Sequence, residues 1–281
     1  MPKLKVRTEV ELPRFAPVVR LTDERSWFWD DLSLPWIVVR LSEFVKNKAL
    51  TQEVSSRGLH DFLGFDGKIL LSTVMEDELL DALTPKDYVG MINDIGPDAT
   101  MTPDSYTYLD DPLYLSWEQT MKQAAYSRAF SELDIPVVGI VKGVIWKQIA
   151  WSAERAIELG CGSFVIPSRE LAALGLLDGV VSAVTSVLRR CKISAQLLLY
   201  GISHPQRWGR GEFAYSGLSW FIGAKNGYYF KGNASYPITD ASIKSEECRC
   251  DACRGRAANQ LKNDVRSLAL HNLLQAMGRF G

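Results

Sequence analysis

Short apolar runs alternate along the chain with stretches in which apolar residues recur every three or four positions. The runs fall at 68–71, 88–92, 136–141, 163–166 and 196–200, and they are rich in β-branched residues. Runs that are apolar throughout, rather than at every second position, are what strands covered on both faces require. Between them the period is helical. Pro112 after Asp111 suits a first helical turn, and Trp117, Met121, Ala124 and Ala125 follow at helical spacing. A second helix is predicted over 146–159, with Ile149, Ala153, Ala156 and Ile157 on one face and Gly160 as its stop. Both stripes read as core. The alternation implies an α/β fold with a parallel sheet, open or closed. From about Asp240 the strand-like runs end, cysteines cluster, and a last helix is predicted over 257–277. The expected organisation is a main domain over 1–240 and a small metal-binding subdomain with its helix over 241–281.

Composition narrows the function classes. At 281 residues, 47% hydrophobic and 23% charged, the chain is ordinary globular material, enough for one large domain. A net charge of −1 leaves no polybasic grip for nucleic acid. Contact with phosphates must come from a local patch, for which Arg207, Arg210, Lys244, Arg249, Arg254, Arg256, Lys262 and Arg266 are candidates. Glu246, Glu247, Asp251 and Asp264 are interleaved, so a solvated charged face is the plainer alternative. No apolar run reaches the ~18 residues of a membrane span, and the first ten residues are charged. A cytoplasmic protein without membrane contact is expected.

Three of the five cysteines, Cys248, Cys250 and Cys253, lie within six residues, too close for a disulfide framework. With His271 eighteen positions later, they offer three thiolates and one imidazole, a closed tetrahedral set for structural Zn²⁺. A closed set staples and leaves no position for substrate. Asn272 stands where it can orient the histidine. Cys161 and Cys191 are isolated and read as small buried hydrophobes.

The cysteine cluster followed by His271-Asn272-Leu273 resembles the zinc signature of the tRNA-guanine transglycosylases, with a shorter spacing before the histidine. Upstream, Gly58-Leu59-His60-Asp61-Phe62-Leu63-Gly64, the stretch Asp98 to Asp104, Ile140-Val141-Lys142-Gly143 and Tyr200-Gly201-Ile202-Ser203-His204-Pro205 resemble further segments of that superfamily in order. The resemblance implies a (β/α)8 TIM-type barrel with chemistry at the C-terminal ends of its strands. It also implies action on guanine or 7-deazaguanine bases in nucleic acid. Two aspartates that such enzymes use are replaced. Ser72 and Ser216 stand in their places, Lys142 stands for a base-recognising glutamine, and Pro167-Ser168 for a glycine pair. Displacing a base from its sugar needs an anionic nucleophile; a serine hydroxyl is neutral unless a strong base adjoins it.

The expected site is therefore Asp98, Asp94, Lys142 and His204 as acid–base groups, with Ser72, Asn93, Ser168, Tyr200 and Ser216 contacting substrate. Asp98 is the candidate for accepting hydrogen bonds from a guanine-like edge. Lys142 has a plainer alternative, a salt bridge filling the place of the lost glutamine. The leading functional expectation is hydration of the nitrile of 7-cyano-7-deazaguanine in DNA. The alternatives are a non-catalytic accessory subunit of a transglycosylase, and divergent base exchange with Asp94 or Asp98 as nucleophile. DNA is favoured over tRNA because no RNA-binding module is attached. A catalytic transglycosylase partner or a homodimer is the possible assembly.

Overall fold

In a computed structural model the chain is described over residues 9–202, 213–232, 234–240, 248 and 250–278. Eight parallel strands follow one another: β1 (Phe15–Pro17), β2 (Trp36–Arg40), β3 (Lys68–Ser72), β4 (Ala99–Met101), β5 (Val137–Ile140), β6 (Ser163–Pro167), β7 (Gln196–Tyr200) and β8 (Phe213–Gly217). Neighbours in sequence pair from β2 through β8, and β8 pairs back to β1. A parallel bridge between Val18 and Val38 joins the end of β1 to β2 and brings the sheet round into an α/β TIM-type barrel. The closure that sequence periodicity leaves open is thus made by one short contact.

Alternate residues of each strand face inward. Ala16, Val38, Leu70, Met101, Val138, Val165, Leu198 and Ala214 share one apolar cluster inside the barrel. Their neighbours Phe15, Phe164, Leu197, Leu199 and Tyr215 belong to an outer cluster shared with the helices on one side, and Ile37, Val39, Ile69 and Leu71 to another on the far side. The floor is plugged by the segment before β1. Val10 exchanges backbone hydrogen bonds with the Ser163 hydroxyl, and Leu12 does so with the Gln196 amide. Both partners start their strands, so the plug closes the N-terminal end.

Three predicted elements change. Residues 88–92 are not a strand; they lie in the helix Pro85–Ile95. The signal was local: Thr84 and Asp87 form a reciprocal cap, Pro85 opens the helix, and Tyr88, Ile92 and Ile95 recur at helical spacing on its buried side. The true strand, β4, is only three residues long, too short for a run to reveal. The helix Leu113–Ser127 forms as predicted but is turned round. It buries Ser116, Thr120 and Gln123, while Met121 is exposed. Its inner face is polar because it meets strand ends whose carbonyls have left the ladder: the Gln123 amide Nε2 donates to the carbonyls of Pro103 (3.1 Å) and Ile140 (3.3 Å). The last predicted helix breaks into a turn, Ala258–Leu261, and a helix Val265–Met277 capped by Asp264. The helix Trp146–Leu159 forms as expected, stopped by Gly160 in the left-handed conformation. No helix among the described residues is long and apolar enough to cross a membrane.

Candidate functional site

The inward parity that packs the barrel core continues to the C-terminal ends of the strands. Two positions beyond Val38, Leu70, Ile140, Leu198 and Ala214 stand Arg40, Ser72, Lys142, Tyr200 and Ser216. An apolar barrel thus ends in a polar layer. Ser72 and Ser216 are fully buried and Lys142 is partly covered. The Ser72 hydroxyl accepts the Val74 N–H at 3.3 Å. Burial keeps the Tyr200 phenol above its usual titration range, so it remains a proton carrier at neutral pH. Ser168 is buried at the end of β6, its hydroxyl held by the Ile166 carbonyl at 2.6 Å. Ser72, Lys142, Ser168, Tyr200 and Ser216 all stand at or just past the C-terminal ends of their strands.

Lys142 closes on a carboxylate that sequence reasoning passed over. Its Nζ lies 3.2 Å from Oδ1 of Asp104, whose side chain is 5% exposed. Asp104 follows β4 and also accepts the Ser105 N–H at 2.8 Å. Burial raises its carboxyl above the ordinary carboxylate range, against the opposing pull of Lys142 and the Ser105 amide. The pair is held from behind. The Lys142 N–H donates to the Ser152 hydroxyl, and the Thr73 hydroxyl donates to the Thr102 carbonyl. Gly143 is required here: with φ at +144°, an added Cβ would lie 2.6 Å from Gln148 Cβ. A second carboxylate, Glu43, is committed to the Arg40 guanidinium and the Leu21 N–H.

Two buried hydroxyls at this end, Ser105 Oγ and Ser216 Oγ, have no hydrogen-bond partner among the described residues. Unpaired polar atoms are expensive to bury, so such atoms at a barrel mouth mark a place where something else completes them. Ser105 and Asp104 border a cavity of about 10 Å³ together with Tyr88 and Gln123, room for about one water.

The other predicted acids lie elsewhere. Asn93 and Asp94 are exposed near the end of the helix Pro85–Ile95. Asp98 precedes β4 and sits at the barrel floor, where Oδ2 accepts the Ile69 N–H at 2.7 Å and lies 3.0 Å from His60 Nε2. Taking 88–92 as a strand had carried all three to the wrong end. His204 lies outside the described residues, as do Arg207, Arg210, Lys244 and Arg249. Of the remaining phosphate candidates, Arg256 is bonded to Asp264 and Ser267, and Arg266 to Asp31, while Arg254 and Lys262 are exposed. The clue to Asp104 is its position three residues after the short β4, in the Thr-Pro-Asp run that the sequence shows.

The second polar cluster is separate. Cys248, Cys250, Cys253 and His271 bring four ligand atoms within 4.8 Å of one another, a set that can hold a metal ion. The three sulfurs lie 3.5, 3.5 and 3.3 Å from His271 Nδ1. Tetrahedral bonds of about 2.3 Å to sulfur and about 2.0 Å to nitrogen would separate such atoms by about 3.5 Å, so the donor set and spacing fit zinc. His271 Nε2 is fixed by the Phe230 carbonyl at 2.8 Å, which aims Nδ1 at the cluster. Asn272 holds the same strand by accepting the Phe230 N–H and donating to the Tyr228 and Trp220 carbonyls. Tyr229 stacks on the imidazole at 4.0 Å. These partners come from the hairpin of β9 (Tyr228–Lys231) and β10 (Ala234–Pro237), whose role the sequence did not reveal.

No family model matches the chain. Its sequence is 24% identical to the tRNA-guanine(15) transglycosylase of Methanosarcina mazei over 296 aligned positions, covering 95% of this chain and 57% of that enzyme. The chain thus spans little more than half the length of the curated relative it matches. The closed parallel barrel, the three cysteines with one histidine and this alignment together support a divergent relative of the tRNA-guanine transglycosylase superfamily.

Proposed function

We propose that the chain modifies a 7-deazaguanine-type base held in nucleic acid without cutting it from its sugar. The observation that carries this reading is the Lys142–Asp104 pair at the mouth, combined with hydroxyls at Ser72 and Ser216. The two carboxylates that pair with the inward polar layer are committed, Asp104 to Lys142 and Glu43 to Arg40, so neither stands as a free nucleophile for a sugar carbon.

A partly covered ammonium beside a buried carboxyl held above its ordinary range is suited to proton transfer. Hydration of the nitrile of 7-cyano-7-deazaguanine in DNA fits these parts. Water adds through oxygen to the nitrile carbon, Lys142 gives a proton to the nitrogen, and Asp104 takes one from the water. The imidic acid tautomerises to the carboxamide, and Asp104 returns its proton to Lys142. Tyr200, Ser72 and Ser216 then contact the base. The Cys248, Cys250, Cys253 and His271 set holds a structural zinc that takes no part in the reaction. The base must leave its stack to reach the mouth.

Incubating the chain with DNA carrying the cyano base, followed by nucleoside digestion and mass spectrometry, tests this. The expected product gains one water, and Lys142→Ala and Asp104→Asn each abolish it. Recovery of unmodified guanine or of released cyano base would instead identify exchange.

A further inference from the structure

Nine large apolar side chains are exposed among the described residues, and seven of them lie on the C-terminal side of the barrel. Tyr108 and Leu109 follow β4, Leu113 and Tyr114 open the next helix, Trp146 opens the helix after β5, and Leu174 and Leu176 follow β6. Tyr114 is 69% exposed and Trp146 52%. The loop after β4 is held in place: Tyr106 and Tyr108 stack on each other, and their hydroxyls donate to Asp81 and Asp77. The polar inner face of the helix Leu113–Ser127 is what turns Leu113 and Tyr114 outward.

The charges around this collar are mixed. Asp81 is paired with Lys122, and Asp77 accepts from Tyr108, while Asp110, Asp111 and Glu170 remain. Lys147 and Arg169 are exposed and have no ion-pair partner among the described residues. Lys147 adjoins Trp146, and Arg169 packs beside Gly201 at the end of β7.

We infer that this collar is a stacking platform for unpaired bases flanking the target base, with Lys147 and Arg169 contacting the adjoining phosphates. Tyr108, Tyr114 and Trp146 offer planar faces on which unpaired bases stack, and the nearby cations suit the adjoining phosphates. The position fits that occupant, because the collar surrounds the end through which a base reaches Asp104 and Lys142. The inference rests on the reading that the mouth takes its base from nucleic acid. It adds that the strand arrives locally unpaired, and that sequence-tolerant stacking rather than a basic groove holds it. Among the described residues Lys147 and Arg169 are the unpaired cations that flank the collar, and salt weakens their phosphate contacts.

The test uses the full chain and a fluorescein-labelled single strand of thymidines, which contains no base for the chemistry. Anisotropy titration is expected to show binding to the single strand and at least tenfold weaker binding to the same strand in a duplex. Tyr114→Ser and Trp146→Ser are each expected to weaken single-strand binding by about tenfold, within the range that loss of one stacked base produces. Met121→Ser, further along the same helix, should leave it unchanged. Unchanged melting midpoints establish that the variants fold. Equal binding by wild type and both collar variants, or no binding by wild type, overturns the inference. So does sedimentation showing that Tyr114→Ser breaks a self-association without affecting the strand. Collar-dependent binding with no conversion of cyano-modified DNA would sink the proposed reaction alone. Conversion that the collar variants leave intact would sink the platform alone.

Discussion

The chain contains two buried polar clusters, and they are built in opposite ways. Around His271 each described group has an assigned direction: Nε2 to a carbonyl, Nδ1 to three sulfurs, Asn272 to the strand beneath, Tyr229 across the ring. At the barrel mouth, Ser105 Oγ and Ser216 Oγ are buried without a partner among the described residues, and a lysine and an aspartate share one ion pair. A cluster that completes itself around one small ion is a staple. A cluster left incomplete stores the capacity to bind something that arrives later.

Breaking the staple is expected to give the largest effect. Chelation, or Cys253→Ser, should remove bound metal and lower the thermal midpoint by on the order of 10 °C or more, since structural zinc contributes strongly to folding. Calorimetry paired with metal analysis checks this. Retention of the full midpoint in metal-free protein would erase the contrast.

Next comes the ion pair. Lys142→Met leaves the Asp104 carboxylate buried alone, which costs about 3–5 kcal/mol. Lys142→Met with Asp104→Leu should recover most of that stability in denaturant titrations without recovering activity. The pH dependence follows from the raised carboxyl of Asp104. A group whose folded-state value lies above its unfolded one adds stability below the unfolded value and loses it as pH rises through the folded value. Relative to Asp104→Asn, the wild type should therefore be most favoured in acid and lose ground as pH rises above 3.8. Melting midpoints of both proteins across pH would show it.

Smaller effects separate the two ends of the barrel. Asp98→Ala removes the acceptor of the Ile69 N–H and the His60 partner at the floor. It should cost about 1–3 kcal/mol and leave kcat for any base modification unchanged. Asp94→Ala, on an exposed helix face, should shift stability by no more than about 0.5 kcal/mol. Loss of turnover in either variant would return the chemistry to acids that the fold places elsewhere.

Much of this was legible in the chain alone. The runs that became β3, β5, β6 and β7 carry their own evidence, because a strand covered on both faces must be apolar throughout. The four metal ligands were also readable, three of them inside one short segment. Lys142 is legible in the sequence as an acid–base candidate, with a salt bridge as its plainer reading. Asp104 was not, because a three-residue β4 leaves no pattern to count from. The misread helix Pro85–Ile95 shows the same weakness: β-branched residues suit a strand, but the cap formed by Thr84 and Asp87 and the spacing of Tyr88, Ile92 and Ile95 prevailed.

By itself, then, the sequence determined which segments are buried and which thiols cluster, since periodicity and close spacing are local properties. Only the tertiary structure decided that the Val18–Val38 bridge closes the sheet, that the helix Leu113–Ser127 turns its polar face inward, and that Asp104 meets Lys142. Each depends on what an element packs against. Stranded carbonyls at the strand ends called for amides and hydroxyls, and a partly covered ammonium called for a carboxylate, wherever along the chain those groups stood.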